Sequence, residues 1–293
     1  MQVPGGLLWW REEPGGAEWL DRLPRLVAEL AEGWGLELER PFEPAHTSLV
    51  VPARRTDGSA AVLKANFPEP ESEHEAAALA CWSGAGAVRL LARDDERRAL
   101  LVERCFPGTV LWEVEERHAN EIAAGVVLQL WQALPAGDFG SLDEQAAQWA
   151  DSLPASWAAA GRPFERELLD EAVAFLRAPR PQEDPVLLHQ DLHGGNVLRS
   201  ERGWLAIDPK PLVGERAFDL ASLLRDRRDE LVCDPRAGAR VERRLDFFSE
   251  RLELERERVR GWGIAHALAW GFQGGEVLPD HVECARLLAG TRG

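Results

Sequence analysis

The sequence predicts an α+β protein in two lobes, a small antiparallel sheet followed by a larger, mostly helical part. Three features predict it. Short strand-like runs with hairpin turns crowd into the first hundred residues, apolar side chains at helical spacing dominate after residue 105, and one island of strand-like runs interrupts the helices at 185–210. The boundary is placed so that residues 1–104 form the first lobe and 105–293 the second. With 293 residues, 45% hydrophobic and 29% charged, the chain is not disordered. At this length it buries roughly 75% of its unfolded surface, enough for a core with a cleft and without metal or disulfide staples.

Each element follows from local pattern. Residues 17–32 place Trp19, Leu20, Leu23, Leu26, Val27 and Leu30 near helical spacing, Gly33 and Gly35 end the pattern, and Pro24 is expected to kink or divide it. Strand-like runs follow at 36–39, 48–51 and 60–64, the last two joined through Arg54-Arg55-Thr56-Asp57-Gly58, where Asp-Gly signals a hairpin. Pro68 and Pro70 introduce a helix over 72–82; runs at 88–92 and 100–102 flank a charged turn. Beyond Pro107-Gly108, helices are expected over 118–133, 142–150, 164–177, 217–230, 237–252, 255–270 and 280–289. In the island, apolar runs at 186–188, 197–198 and 205–207 alternate with polar, glycine-rich turns, the setting in which loops carry functional groups.

Charge and composition narrow the function. A net charge of −16 repels phosphate backbones, so nucleic acid and anionic membranes are disfavoured and a polycationic small molecule is the natural partner, unless the acidity serves solubility alone. No apolar run approaches the roughly 20 residues of a membrane span, and MQVPGGLLWWREEPGG lacks the basic end and apolar stretch of a secretory leader. Cys81, Cys105, Cys233 and Cys284 lie far apart with no CxxC pair, against a zinc cluster or a disulfide framework. A soluble, cytoplasmic protein is expected, with oligomeric state open and a monomer favoured. Of 34 basic residues only Lys64 and Lys210 are lysines, which points to positions where a compact charge on a flexible stem is required, or to chance survival.

The chemistry concentrates in His189-Gln190-Asp191-Leu192-His193-Gly194-Gly195-Asn196 and Ile207-Asp208-Pro209. Asp191, Asn196 and Asp208 are hard oxygen ligands that suit magnesium rather than zinc. Their spacing matches the catalytic loop of kinases, in which the first Asp takes the acceptor proton, the Asn five residues on binds magnesium, and a later Asp binds metal. Asp219-Leu220-Ala221 opens the next helix. A hydrolase reading of the His189, Asp191, His193 cluster lacks the further histidines that a zinc site needs.

With these motifs the sequence resembles the aminoglycoside phosphotransferase family, whose strip reads H-G-D-L-H-x-x-N, then I-D-[FP] and D-L-A. The resemblance covers nearly the whole chain. Residues 205–224 (LAIDPKPLVGERAFDLASLL) and 260–262 look most like the streptomycin kinase and hydroxyurea phosphotransferase branch. It implies a bilobal protein-kinase-like fold, ATP and Mg2+ as cofactors, Asp191 as catalytic base, Asn196 and Asp208 as magnesium ligands, and Asp219 as a brace beneath the loop. His189 is then a histidine that fixes the loop backbone, and Gln190 departs from the family's glycine.

The first lobe should cradle the nucleotide. Lys64 ends a strand where kinase-like folds place the lysine that grips the α and β phosphates. Glu71, Glu73 and Glu75 compete to pair with it; Glu75 is chosen, with Glu71 second. No G-x-G-x-x-G precedes Lys64, so the Thr47 and Ser48 hydroxyls and nearby backbone N–H groups are the candidates to cover the phosphates. Resemblance to the family's linker strand directs the backbone of Glu103 and Cys105 at adenine. Lys210 either approaches the transferred phosphoryl group, pairs with a carboxylate or is a surface lysine; the twelve tryptophans are expected in the core. Asp226, Asp229, Glu230, Asp234 and Glu242 either receive cationic groups of substrate or pair with adjacent arginines. The expected activity is ATP-dependent phosphorylation of a hydroxyl on a small cationic molecule, streptomycin first, which would inactivate it. The alternatives are hydroxyurea, an amino sugar or another metabolite as acceptor, and a non-catalytic nucleotide-binding module.

Overall fold

The computed structural model describes residues 2–181, 183–273 and 275–291. The chain opens with a 3-10 helix, Gly5–Glu12, and α1, Gly16–Trp34. Five antiparallel strands follow, β1 (Leu36–Leu38), β2 (Ser48–Arg55), β3 (Ala60–Asn66), β4 (Leu90–Asp94) and β5 (Ala99–Glu103), in the spatial order β1-β2-β3-β5-β4. A 3-10 turn at Pro70–Ser72 and α2 (Glu75–Trp82) connect β3 to β4.

The β2–β3 hairpin forms as the Asp-Gly signal predicts. Gly58 takes φ +82°, which an L side chain rarely adopts, and Asp57 Oδ1 accepts the Ser59 N–H at 2.9 Å. Period-two alternation then gives the sheet two distinct faces. Leu49, Val51, Ala61, Leu63, Ala65 and Leu101 are buried against Leu7, Trp10, Leu20, Leu23, Val27 and Leu30 of the first two helices. Val50, Val62, Lys64, Leu100 and Val102 face the other way, into a cleft. Pro24 does not divide α1. The roughly 3 kcal/mol that an interior proline costs is outweighed by burial of Leu20, Leu23, Val27 and Leu30, each contributing about 1.5–3 kcal/mol. The second helix begins at Glu75 rather than residue 72, because Pro70 sits at the start of the 3-10 turn and Ser72 Oγ donates to the Phe67 and Glu69 carbonyls.

The larger part contains α3 (Glu116–Leu130), α4 (Leu142–Ala159), α5 (Arg166–Arg177), α6 (Leu220–Leu224), α7 (Arg228–Cys233), α8 (Ala237–Arg251), α9 (Arg256–Ala269) and α10 (Pro279–Ala289). Between α5 and α6 lie β7 (Val186–Leu188), the hairpin β8 (Val197–Ser200) and β9 (Gly203–Ala206), and β10 (Leu212–Gly214), which runs parallel to β6 (Gly140–Ser141) and antiparallel to β7. A short ribbon, β11 (Phe272–Gln273) with β12 (Glu276–Val277), precedes α10. The fourth helix runs past the expected residue 150, through Pro154, because Ala146, Ala150, Leu153 and Trp157 continue one buried stripe. The single helix expected over 217–230 is instead a 3-10 turn and two short helices, broken where Arg227 takes φ +52°. That break frees Asp226 to bond outside its own helix. Ala78, Leu79, Trp82 and Leu100 belong to the core of the larger part, so the second helix welds sheet to helices.

Among the described residues no helix is long and apolar enough to cross a membrane, and the four cysteines are free thiols.

Two buried histidines are held neutral. His281 accepts from the Arg228 guanidinium at Nε2 (2.6 Å) and contacts the Ala267 carbonyl at Nδ1 (3.2 Å); burial, then Arg225 and Arg228, push its pKa down to about 3. His266 Nδ1 lies 2.6 Å from Arg225, and burial again lowers its pKa well below the usual value. The unfolded chain protonates both near pH 6.5 while the native state does not, so stability is full above that pH and is lost as pH falls. The expected slope is about 1.4 kcal/mol per histidine per pH unit. Urea denaturation at pH 7 and pH 5 should therefore show a marked loss of stability, and His281→Asn should make the pH dependence shallower.

Candidate active site

Lys64 points from β3 into the space between the sheet and the larger part. Its ammonium lies 2.8 Å from both oxygens of Glu75, on the first turn of the second helix, and Asn66 Nδ2 donates to the same carboxylate at 2.8 Å. It also bonds Asp208. Lys64 is 8% exposed and Glu75 3%, so water screens this pair little. Burial alone would lower the lysine's pKa, but the Asp208 and Glu75 carboxylates outweigh it and raise it, keeping the ammonium charged. Of the three competing glutamates, Glu75 is the one that meets Lys64. Glu71 meets Lys210 at 3.0 Å and Glu73 meets Arg98 at 3.2 Å.

Residues 189–196 form a loop between β7 and β8. Gln190 sits in the left-handed region (φ +67°), where glycine is favoured. The conformation is held from inside by Asp219, whose Oδ1 accepts the His189 and Gln190 N–H groups at 2.8 and 2.9 Å and whose Oδ2 accepts from Trp131 Nε1 at 3.0 Å. Ser222 Oγ donates to the Gln190 carbonyl at 3.1 Å. Burial raises the Asp219 pKa to about 6 against the pull of these bonds. His189 is fully buried, stacks beside Trp82 and contacts the Ile207 carbonyl through Nε2 at 3.0 Å; burial pushes its pKa to about 4, so it is a neutral structural ring.

Asp191 thus emerges at a defined place, its side chain 16% exposed. His193 Nε2 is 3.9 Å from Oδ1 and Lys210 Nζ is 3.9 Å from Oδ2. Asn196 Nδ2 donates to the Asp191 carbonyl at 2.9 Å, which commits its amide nitrogen and leaves its carboxamide oxygen as an acceptor. Asp208 follows β9 at φ +60°, and this second left-handed residue turns its carboxylate to Lys64.

The upper side of the loop is closed by Trp112, which sequence pattern assigned to the core and which is 44% exposed. Its ring stacks on His193 with centroids 5.1 Å apart, and its Nε1 donates at 2.6 Å to Asp226 Oδ1, which also accepts the Gly194 N–H at 3.0 Å. A Cβ on Gly194 would stand 2.6 Å from Trp112 and one on Gly195 2.8 Å, so the Gly-Gly pair makes room for the indole. The signal was present in that pair, but nothing local names a partner more than eighty residues away.

Three cavities meet here. A mainly apolar cleft of about 370 Å3 runs from Val62 and Lys64 past Glu103, Cys105 and Leu198 to Asp208. The Glu103 side chain is not free within it: it is paired with Arg202 and accepts the Arg89 N–H. Thr47 and Ser48 do not line this cleft. The chain there is drawn to the opening 3-10 helix, with the His46 and Thr47 carbonyls accepting Trp9 and Trp10 indole N–H groups; Phe42 and Val50 line the cleft instead. A cavity of about 850 Å3 lies on the other side, reached by Gln190 and Lys210, and one of about 350 Å3 holds Asp191, His193, Asp226, Asp229 and Glu230. Asp234 and Glu230 approach Arg240, while Glu242 lies outside all three.

The same architecture occurs in the crystal structure of a thermostable mutant of an aminoglycoside phosphotransferase, with a TM-score of 0.60 at 15% identity, covering 90% of this chain and 98% of the other. The protein accordingly has a bilobal kinase-like fold. The family model described as aminoglycoside/hydroxyurea antibiotic resistance kinase matches residues 34–274, and the chain belongs to that family. It is 35% identical to the streptomycin 6-kinase of Streptomyces glaucescens over 94% of this chain and 92% of that one. With the hydroxyurea phosphotransferase of Kitasatospora aureofaciens it shares 37% over 100% and 87%.

The Trp112 clamp is testable. Gly194→Ala should cost about 1–3 kcal/mol of stability by urea denaturation, and most of that cost should vanish in a Trp112→Ala background. Equal costs in both backgrounds would remove the indole as the cause.

Proposed function

We propose that this protein is an ATP- and magnesium-dependent kinase that phosphorylates a hydroxyl of streptomycin or a related aminoglycoside in the cytoplasm, inactivating it. The observation that carries the reading is the placement of Lys64 and Asp208 at the inner end of the 370 Å3 cleft, with Asp191 on the adjoining loop and open to the acceptor side. In this reading residues 1–104 and 105–293 act as the two lobes. Adenine enters between the apolar strand faces and meets the Glu103 and Cys105 backbone, and Lys64, oriented by Glu75, grips the phosphates.

The donor set suits magnesium. The Asp208 carboxylate, 42% exposed, and the remaining acceptor of Asn196 are hard oxygens. Asn196 and Asp208 would hold the ion, which supplies charge neutralisation to the phosphates. The protein's own groups do the rest: Asp191 takes the proton of the acceptor hydroxyl and aims it along the transfer line, while Asp219 and His189 keep that carboxylate in place.

The acceptor side supports a large cationic substrate. A cavity of about 850 Å3 falls in the range of drug-sized ligands and is far larger than hydroxyurea needs. It is rimmed by Glu69, Glu71 and Glu73 and walled by Trp149 and Trp270, which suit guanidinium and ammonium groups. Burial and the nearby Glu71 raise the Glu69 pKa, so an arriving cation relieves an unfavourable charge. The family relationship keeps hydroxyurea as the second reading.

An ADP-release assay with magnesium and ATP across streptomycin, other aminoglycosides and hydroxyurea, followed by mass spectrometry, tests the proposal. Streptomycin should gain one phosphate, and Asp191→Asn should lower turnover at least about 10³-fold with ATP binding retained. Phosphorylation of hydroxyurea alone would replace the acceptor. Near-parental turnover by Asp191→Asn would remove the base.

A further inference from the structure

The second lysine of the chain stands on the acceptor side of Asp191, and its backbone is firmly placed. The Lys210 N–H donates to the His189 carbonyl at 3.1 Å, and prolines at 209 and 211 restrict the chain on both sides. The left-handed turn at Asp208 sends two side chains in different directions: Asp208 to Lys64, and Lys210 to the catalytic loop. Its Nζ is 3.9 Å from Asp191 Oδ2, 3.0 Å from Glu71 Oε2 and 4.7 Å from the centroid of Trp270. The ammonium therefore lies where the 850 Å3 cavity meets the catalytic carboxylate.

Stability does not explain a lysine here. The Glu71 side chain is 60% exposed, and an ion pair so placed contributes little. Arginine, which fills every other basic position except Lys64, would hold that carboxylate better through its two-pronged geometry. What lysine offers instead is a compact charge with three donors that can turn from one oxygen to another.

We propose that Lys210 is a catalytic residue: its ammonium leaves Glu71 and hydrogen-bonds the non-bridging oxygens of the phosphoryl group as that group passes from nucleotide to acceptor. In this step the bond between acceptor oxygen and γ phosphorus forms and the bond from γ phosphorus to the β–γ bridging oxygen breaks. The hydroxyl proton goes to Asp191, and ADP leaves with the electron pair. Charge on the peripheral phosphoryl oxygens then lies between Lys64 on the nucleotide side and Lys210 on the acceptor side. The weak hold of Glu71 keeps the ammonium parked and easily released. This role rests on the kinase reading with Asp191 as base.

The test uses the full chain with ATP, magnesium and whichever acceptor the parental enzyme phosphorylates. Lys210→Ala should lower kcat about 10²–10³-fold with ATP affinity changed less than about 3-fold, and added methylammonium or ethylammonium should restore part of the rate saturably. A parental rate in Lys210→Ala, or a loss of rate that added amine does not restore, would show a strut and overturn the proposal. If the alanine variant does not fold, Lys210→Arg carries the test: at least about a 10-fold loss of kcat is expected, and a parental rate overturns the role. Asp191→Asn run in parallel separates the two ideas. A dead Asp191→Asn beside a fully active Lys210 variant removes only the role of Lys210, whereas an inactive parental enzyme removes the kinase reading and this role with it.

Discussion

The buried ammonium of Lys64 is the group on which the geometry of the site depends. It is one charge shared by two carboxylates from different parts of the fold, Glu75 on the second helix and Asp208 beyond β9. Removing the ammonium would leave two carboxylates facing each other in low dielectric, which is far more costly than the cluster is favourable. The sheet, the helix behind it and the strand island of the larger part are therefore held in one arrangement. Burial of Leu79 and Trp82 in the larger core reinforces the same contact with apolar area.

The loop that carries Asp191 is constrained by a second set of contacts of a different kind. Beneath it the Asp219 carboxylate accepts three N–H donors inside the core, and this offsets part of its own desolvation and holds the left-handed turn at Gln190. Above it Trp112 lies flat on His193 and reaches Asp226. A loop pinned on both faces keeps the Asp191 carboxylate in a fixed direction, which is the preorganisation that the proposed proton transfer needs.

Charge around the two outer cavities is organised as pairs rather than as an acidic surface. Asp226 is committed to Trp112 and Gly194, and Glu230 and Asp234 lie near Arg240. The carboxylates that rim the larger cavity come instead from the segment before the second helix, Glu69, Glu71 and Glu73. That segment and the first turn of the helix supply a partner to each lysine, Glu71 to Lys210 and Glu75 to Lys64. A net charge of −16 thus says little about where a cation binds, because ion pairing between distant helices decides which acids remain free.

Local pattern determined the order of strands and helices, the β2–β3 hairpin, the chemistry-bearing strip at 189–208 and the choice of Glu75, because alternation, helical spacing and turn residues act over a few positions. Tertiary structure alone decided the rest. It carried α1 through Pro24, since burial against the sheet outweighs a missing hydrogen bond, and it broke the helix expected over 217–230, since Asp219, Ser222 and Asp226 bond to the 189–196 loop. It kept Thr47 and Ser48 out of the 370 Å3 cleft and set Trp112 over Gly194 and Gly195. It also placed Lys210 beside Asp191, nineteen positions earlier in the chain. Contacts of this kind join residues from 18 to more than 100 positions apart, and their energies depend on burial and direction, which no short window of sequence contains.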